Sequence, residues 1–129
     1  MKIITKQFGE IEFDEKIIIE FKDGILGFEQ LRKYLLLTEE NSIFFWLTSV
    51  DEPEIVFPLI PVNLLLDKYP DKDGYEAFGI VKLNREPTKI TANLKAPVYI
   101  NQDNYTGVQK ILDDDKFQIN YQLFVEKED

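Results

Sequence analysis

A mainly β chain is predicted, folded as a single antiparallel β-barrel or strongly curved sheet with one or two short helices. The 129 residues include ten Phe, six Tyr and one Trp within a 44% hydrophobic content, and aromatic and β-branched residues favour strands. The apolar residues fall in short runs punctuated by Gly, Pro, Asn and Asp, the pattern of successive strands and turns. No internal repeat, heptad or low-complexity linker divides the chain. A chain of this size fits one core and buries roughly two thirds of its unfolded surface. Residues 1–125 are therefore expected to form one β domain, with Glu126-Lys127-Glu128-Asp129 as an acidic tail that frays into solvent.

Taken in order, Lys2 to Gln7 and Ile11 to Phe13 flank Gly9 as a small hairpin or strand pair. Ile17-Ile18-Ile19-Glu20-Phe21 reads as a strand, stopped by Lys22-Asp23-Gly24, where glycine permits a left-handed turn. Gly27 to Lys33 is expected to make one or two helical turns before Tyr34-Leu35-Leu36-Leu37, a buried strand. The runs Ile43 to Val50 and Ile55 to Ile60 are joined by Asp51-Glu52-Pro53-Glu54 and predict a central hairpin. Pro58 cannot donate to a ladder, so its strand should be an edge, kink there or end early. Pro61 to Leu66 suits a short helix with proline at its first turn, and Asp67 to Gly74 an exposed loop. Later strands are predicted at Ala77 to Leu83, Lys89 to Asn93, Pro97 to Ile100, Gly107 to Leu112 and Phe117 to Val125.

The chemistry the chain lacks narrows its function. It contains no histidine and no cysteine, so neither the side chain that titrates near neutrality nor the strongest ordinary nucleophile is present. Zinc sites are usually built from those two residues. The expectation is a binding protein with no cofactor and no metal, while a purely carboxylate enzyme with two acids held in a shaped cleft stays open. Acidic residues outnumber basic ones 24 to 15, a net charge of -9, which disfavours direct binding to a phosphate backbone and would attract a basic protein. Direct RNA regulation would require a basic strip hidden within this acidic whole. No stretch approaches the roughly 18 apolar residues of a membrane span, and Met1-Lys2-Ile3-Ile4-Thr5-Lys6 lacks the apolar core of a signal peptide. A cytoplasmic address, with no membrane association, follows as an expectation.

Few constellations compete with that reading. Gly24-Ile25-Leu26-Gly27 lacks the Lys-Ser/Thr of a phosphate loop and reads as backbone geometry. Asp51, Glu52 and Glu54 offer the two carboxylates of a carbohydrate hydrolase, but acids crowded around a proline also describe a solvated turn. The hydrolase reading needs two of them held about 5 to 10 Å apart across a sugar-sized cleft. Asp113-Asp114-Asp115 lacks the alternating spacing and glycine of a calcium loop. Alternation along Phe44-Phe45-Trp46 sends Phe45 to the opposite face, which leaves a stacking platform incomplete.

The segment Asn93-Leu94-Lys95-Ala96-Pro97-Val98-Tyr99-Ile100-Asn101 reads physically as strand, turn, strand, and its pattern resembles the late core signature of the flagellar assembly factor FliW family. Phe8-Gly9-Glu10-Ile11, then Gly24-Ile25-Leu26-Gly27-Phe28, then Phe45 to Val50 and Val56-Phe57-Pro58-Leu59 resemble earlier family features in the same order. Near the C-terminus Tyr121-Gln122-Leu123 stands where the family often has His-Pro-Leu, so no role of that element is carried over. The resemblance implies a cytoplasmic, non-enzymatic β-barrel, monomeric when free, that binds flagellin and the translational regulator CsrA. CsrA would repress flagellin translation until antagonised, and newly made flagellin would compete for the antagonist. It also makes Gly24, Gly27, Phe28, Asn93, Leu94, Ala96, Pro97 and Asn101 framework residues of the family motifs. For a basic partner, the densest late acidic segments supply the candidate contacts: Asp71, Asp73 and Glu76, or Asp113, Asp114 and Asp115.

Overall fold

The computed structural model describes residues 1–125, and the expected frayed tail lies outside the described residues. Strands β3 (Ile19–Phe21), β4 (Lys33–Thr38), β5 (Phe45–Ser49), β6 (Val56–Pro61), β7 (Glu76–Lys82), β8 (Thr91–Asn101) and β9 (Thr106–Gln109) follow one another around a sheet. β9 pairs with both β8 and β3, which closes the seven strands into a barrel. Among the described residues only the β3–β9 seam is parallel, with Glu20 opposite Thr106 and Phe21 opposite Gly107. The hairpin of β1 (Lys2–Thr5) and β2 (Gly9–Glu12) stands apart, and β10 (Tyr121–Gln122) adds to β8 outside the barrel.

Alternation along the strands decides which residues fill the barrel. Ile19, Phe21, Tyr34, Leu47, Leu59, Phe78, Val98 and Ile100 form one buried cluster. Tyr34 is wholly buried there; its hydroxyl donates to the Leu31 carbonyl at 3.2 Å, and burial pushes its pKa up to about 12. Phe45 packs edge-on against Phe78 at 5.3 Å, whereas its neighbours Phe44 and Trp46 pack against each other at 6.3 Å. The outside is covered at two places. The β1–β2 hairpin sets Ile3 and Phe13 over Leu35 of β4, and the C-terminal segment brings Phe117 against Ile60, Val62, Val81, Ala92 and Leu94.

Several local expectations change. Residues 27–33 are not helical: two glycines with φ of +69° at Gly24 and +88° at Gly27 fold them into successive turns. Phe28 N donates to the Ile25 carbonyl at 2.7 Å, and Leu31 N to Phe28 at 3.0 Å. A side chain at Gly24 would place its Cβ 2.6 Å from the Glu29 Cα, so this turn requires glycine on two counts. The short helices are single 3-10 turns at Glu15–Ile17, Val62–Leu64 and Pro87–Lys89. The first takes Ile17 out of its predicted strand and the last delays the start of β8 to Thr91. The last predicted strand shrinks to Tyr121–Gln122. β6 is neither an edge strand nor cut short at Pro58: it pairs with β5 through Pro58, opposite Trp46, and continues to Pro61, but β7 joins it only from Leu59 onward.

Residues 91–101 form one strand rather than strand, turn, strand, but the turn survives inside it as a bulge. Ile80 pairs with Asn93 and Phe78 with Val98, so Leu94 to Pro97 all lie opposite Gly79. The Asn93 Oδ1 accepts from the backbone N–H of Lys95 and of Ala96, both at 3.0 Å. Gly79 is closely packed: a Cβ there would meet Leu94 Cδ2 at 3.2 Å and the Asn93 carbonyl at 3.3 Å, so those neighbours would have to give by a few tenths of an ångström.

Candidate functional site

The β8 bulge and the glycine turns meet at an apolar groove of about 350 Å3. Leu26, Phe57, Ile80 and Ile119 line it, with Lys82, Thr91, Asn93, Gln109 and Asn120 as polar members. Gln109 ties its walls together, accepting from Leu26 N at 2.8 Å and donating to the Ala96 carbonyl at 3.0 Å. Leu26 is 65% exposed and Ile119 58%. Phe28 stacks edge-on against Phe57, ring centroids 5.1 Å apart. Phe57 and Ile80 also pack on the barrel's interior cluster, so the apolar interior reaches the surface here. Glu29 secures the turn, accepting from Gly27 N at 3.0 Å; that backbone bond and one from its own N–H hold its carboxyl below the usual range. Asn101 shapes the next turn in the same way as Asn93, accepting from Asp103 N at 2.8 Å and Asn104 N at 3.2 Å.

The acidic candidates gather around a different loop. A cleft of about 370 Å3 is lined by Asp67, Tyr69, Asp71, Tyr75, Glu76 and Tyr99 among others. A second is lined by Asp113, Asp114 and Phe117 together with Lys68 and Lys116, and shares Tyr69 and Pro70 with the first. The two acidic segments thus flank one loop, although they are remote in sequence. Tyr99 anchors that loop by donating to the Pro70 carbonyl at 2.7 Å, and Tyr69 by donating to the Leu94 carbonyl. Burial raises both phenols, with Asp71 adding to the effect on Tyr99.

The six acids are not equivalent. Asp71, Asp73, Asp113, Asp114 and Asp115 are exposed, but Asp115 is bound to Lys95 at 2.6 Å, which holds its carboxyl below the usual range through that hydrogen bond and the lysine's charge. Asp114 pairs with Lys116 at 3.6 Å. Asp73 lines neither cleft. Glu76 is half-buried, and burial holds its carboxyl above the usual range.

Asp51, Glu52 and Glu54 all lie exposed on the turn between β5 and β6, held by Ile55 N donating to the Glu52 carbonyl at 2.8 Å. Solvated acids on a turn favour the binding reading over a hydrolase pair. Lys22, Lys72 and Lys110 line a further cleft, but with Glu20 and Asp23 among them. Among the described residues no cluster of three or more Asp and Glu has the geometry to hold a metal ion, and no helix is long and apolar enough to cross a membrane.

The sequence did not single out Gln109, Ile119 or the tyrosines at 69, 75 and 99. Each acquires its place from contacts across the fold, and the only local hint is an aromatic residue beside Pro70 in an otherwise charged loop.

Comparison with known proteins places this architecture. The family model described as FliW protein matches residues 2–73 and 68–123. The flagellar assembly factor FliW of Caldanaerobacter subterraneus subsp. tengcongensis is 37% identical, with 98% of this chain and 95% of that protein covered. The one from Lachnospira eligens is 34% identical, covering 96% and 95%. A solved crystal structure of the flagellar assembly factor FliW aligns with a TM-score of 0.89 at 32% identity, over 99% of this chain and 100% of that one. Sequence and barrel agree from end to end, and the chain belongs to the FliW family of flagellar assembly factors.

Proposed function

We propose that this protein acts in the cytoplasm by binding rather than by catalysis, holding flagellin at its apolar groove and antagonising CsrA through its acidic face. Membership of the FliW family along nearly the whole chain is the observation that carries the reading. The groove supports the first half: Leu26 and Ile119 offer exposed apolar surface beside the half-buried Phe57 and Ile80, the chemistry that shelters an assembly-prone apolar segment. The acidic segments around Tyr69 and Pro70 support the second half, since a basic regulator is steered to a negative surface. The groove and the two clefts beside Tyr69 and Pro70 share no lining residue, yet Asn93 and Ala96 line one and Tyr99 another along the same β8. In this reading the framework residues Gly24, Gly27, Asn93 and Pro97 serve chiefly to hold the backbone around the groove rather than to supply its affinity.

Stopped-flow association with CsrA tests the acidic face. Association should slow as salt rises. Charge reversal of Asp71, Asp73 and Glu76, or of Asp113, Asp114 and Asp115, should lower the association rate and flatten its salt dependence. Wild-type rates and salt slopes in both variants would defeat the acidic-face reading.

A further inference from the structure

We infer that the cleft walled by Tyr69, Tyr75 and Tyr99 is a socket for an arginine side chain of a basic protein partner. This rests on the acidic-face reading and narrows it to one side-chain chemistry. The cleft, about 370 Å3, lies at the small end of the roughly 300 to 1,000 Å3 typical of ligand sites, a size suited to a side chain rather than a folded element. Its three phenols are fixed by their own hydrogen bonds: Tyr99 to the Pro70 carbonyl at 2.7 Å, Tyr69 to the Leu94 carbonyl, and Tyr75 to the Thr106 hydroxyl at 2.8 Å. Rings held in this way receive a planar group without further loss of side-chain freedom.

The same rings already attract cations within the chain. Lys72 Nζ lies 4.8 Å from the Tyr75 centroid and Lys110 Nζ 5.4 Å from that of Tyr99. Both lysines line the adjoining cleft and not this one, which leaves the Tyr69 side and the carboxylates of Asp67, Asp71 and Glu76 for an incoming cation. Glu76 is the member that asks for one. It is half-buried, forms no ion pair within 4.0 Å among the described residues, and is held above its usual pKa by burial. Guanidinium fits better than ammonium, because it is planar, more weakly hydrated, stacks on aromatic faces and forks onto carboxylates.

The full chain is titrated with Nα-acetyl-arginine amide in proton–nitrogen correlation spectra, with the acetylated lysine and glycine amides as controls. The arginine probe should shift the amides of Asp67, Lys68, Tyr69 and Asp71 and of Tyr75 to Ala77, and bind several-fold more tightly than the lysine probe. The double variant Glu76→Gln, Asp71→Asn keeps side-chain size and should weaken it by roughly fivefold or more. Shifts no larger than those from the glycine probe, or equal affinity in the double variant, would overturn the socket. CsrA association is followed on the same proteins. If CsrA binds neither protein while the arginine probe distinguishes them, the acidic-face reading fails and the socket stands. If CsrA binding weakens in the variant while the probe never binds, the socket fails and the acidic-face reading stands.

Discussion

Asn93 holds Ala96 through a 3.0 Å hydrogen bond from the Ala96 N–H to its side-chain oxygen, and the same oxygen takes the Lys95 N–H. These two bonds set four residues of β8 opposite Gly79. Without them two backbone donors in a part-buried bulge lose their acceptor, at a cost of about 1 to 3 kcal/mol. Asn93→Ala should therefore lower the melting temperature while leaving partner affinity per folded molecule nearly unchanged. Unchanged melting with selective loss of one partner would make Asn93 a contact residue instead.

Gly107 and Phe21 fix the parallel β3–β9 seam. A Cβ at Gly107 would fall 2.3 to 2.8 Å from three atoms of the fully buried Phe21 ring. Gly107→Ala is expected to destabilise the protein by about 1 to 3 kcal/mol, the cost of overpacking a filled core. Because the clash is with one ring, Phe21→Leu combined with Gly107→Ala should cost less than the two single changes added together. Urea unfolding of the four proteins measures this directly; strict additivity would place the strain elsewhere.

Glu76 gives stability an unusual pH dependence. Burial raises its folded pKa above the ordinary 4.5, so between those values the folded chain holds more protons at this site than the unfolded chain. Its contribution to stability therefore falls as pH rises through that window and stays low above it. Glu76→Gln should be more stable than the native protein at pH 7, and the advantage should disappear below the ordinary glutamate range. A variant less stable at neutral pH would mean that the carboxylate has a stabilising partner.

Asp115 runs in the opposite sense. Its pKa is lowered by the Lys95 hydrogen bond and charge, so whatever this exposed pair contributes is present above the unfolded aspartate range and fades as pH falls through the lowered value. Lys95→Met should raise the Asp115 pKa toward the ordinary 3.8, as read by carbon NMR of its carboxyl. An unmoved titration would show that the pair does not persist in solution.

Strand content and the order of elements were legible because alternation and turn residues are local signals. Gly24 announced a left-handed turn that is present, whereas Pro58 sits within a strand flanked on both sides, where β7 joins only from Leu59. Residues 27–33 misled because Glu29 to Lys33 suit a helix taken alone, while the deciding factor is a pair of left-handed glycines followed by the Glu29 side chain bonding to Gly27 N. The turn expected between Asn93 and Pro97 was sound chemistry, but whether such a turn ends a strand or bulges it depends on Gly79 and on the neighbouring residues 110–118. Lys110 N and Leu112 N donate to Pro97 and Lys95, and Leu94 N donates to Gln118. The tyrosine cleft is the least legible part, since residues 69, 75 and 99 become neighbours only through barrel closure and the loop anchored on it.

Calorimetric titration with flagellin from the same source, at concentrations up to tens of micromolar, tests the central claim most directly. One flagellin should bind per chain. Leu26→Asp with Ile119→Asp, both on exposed positions of the groove, should weaken that binding by more than tenfold, about 1.4 kcal/mol, without lowering the melting temperature. Absence of binding when both native proteins are folded, or full affinity in the groove variant, would contradict the account.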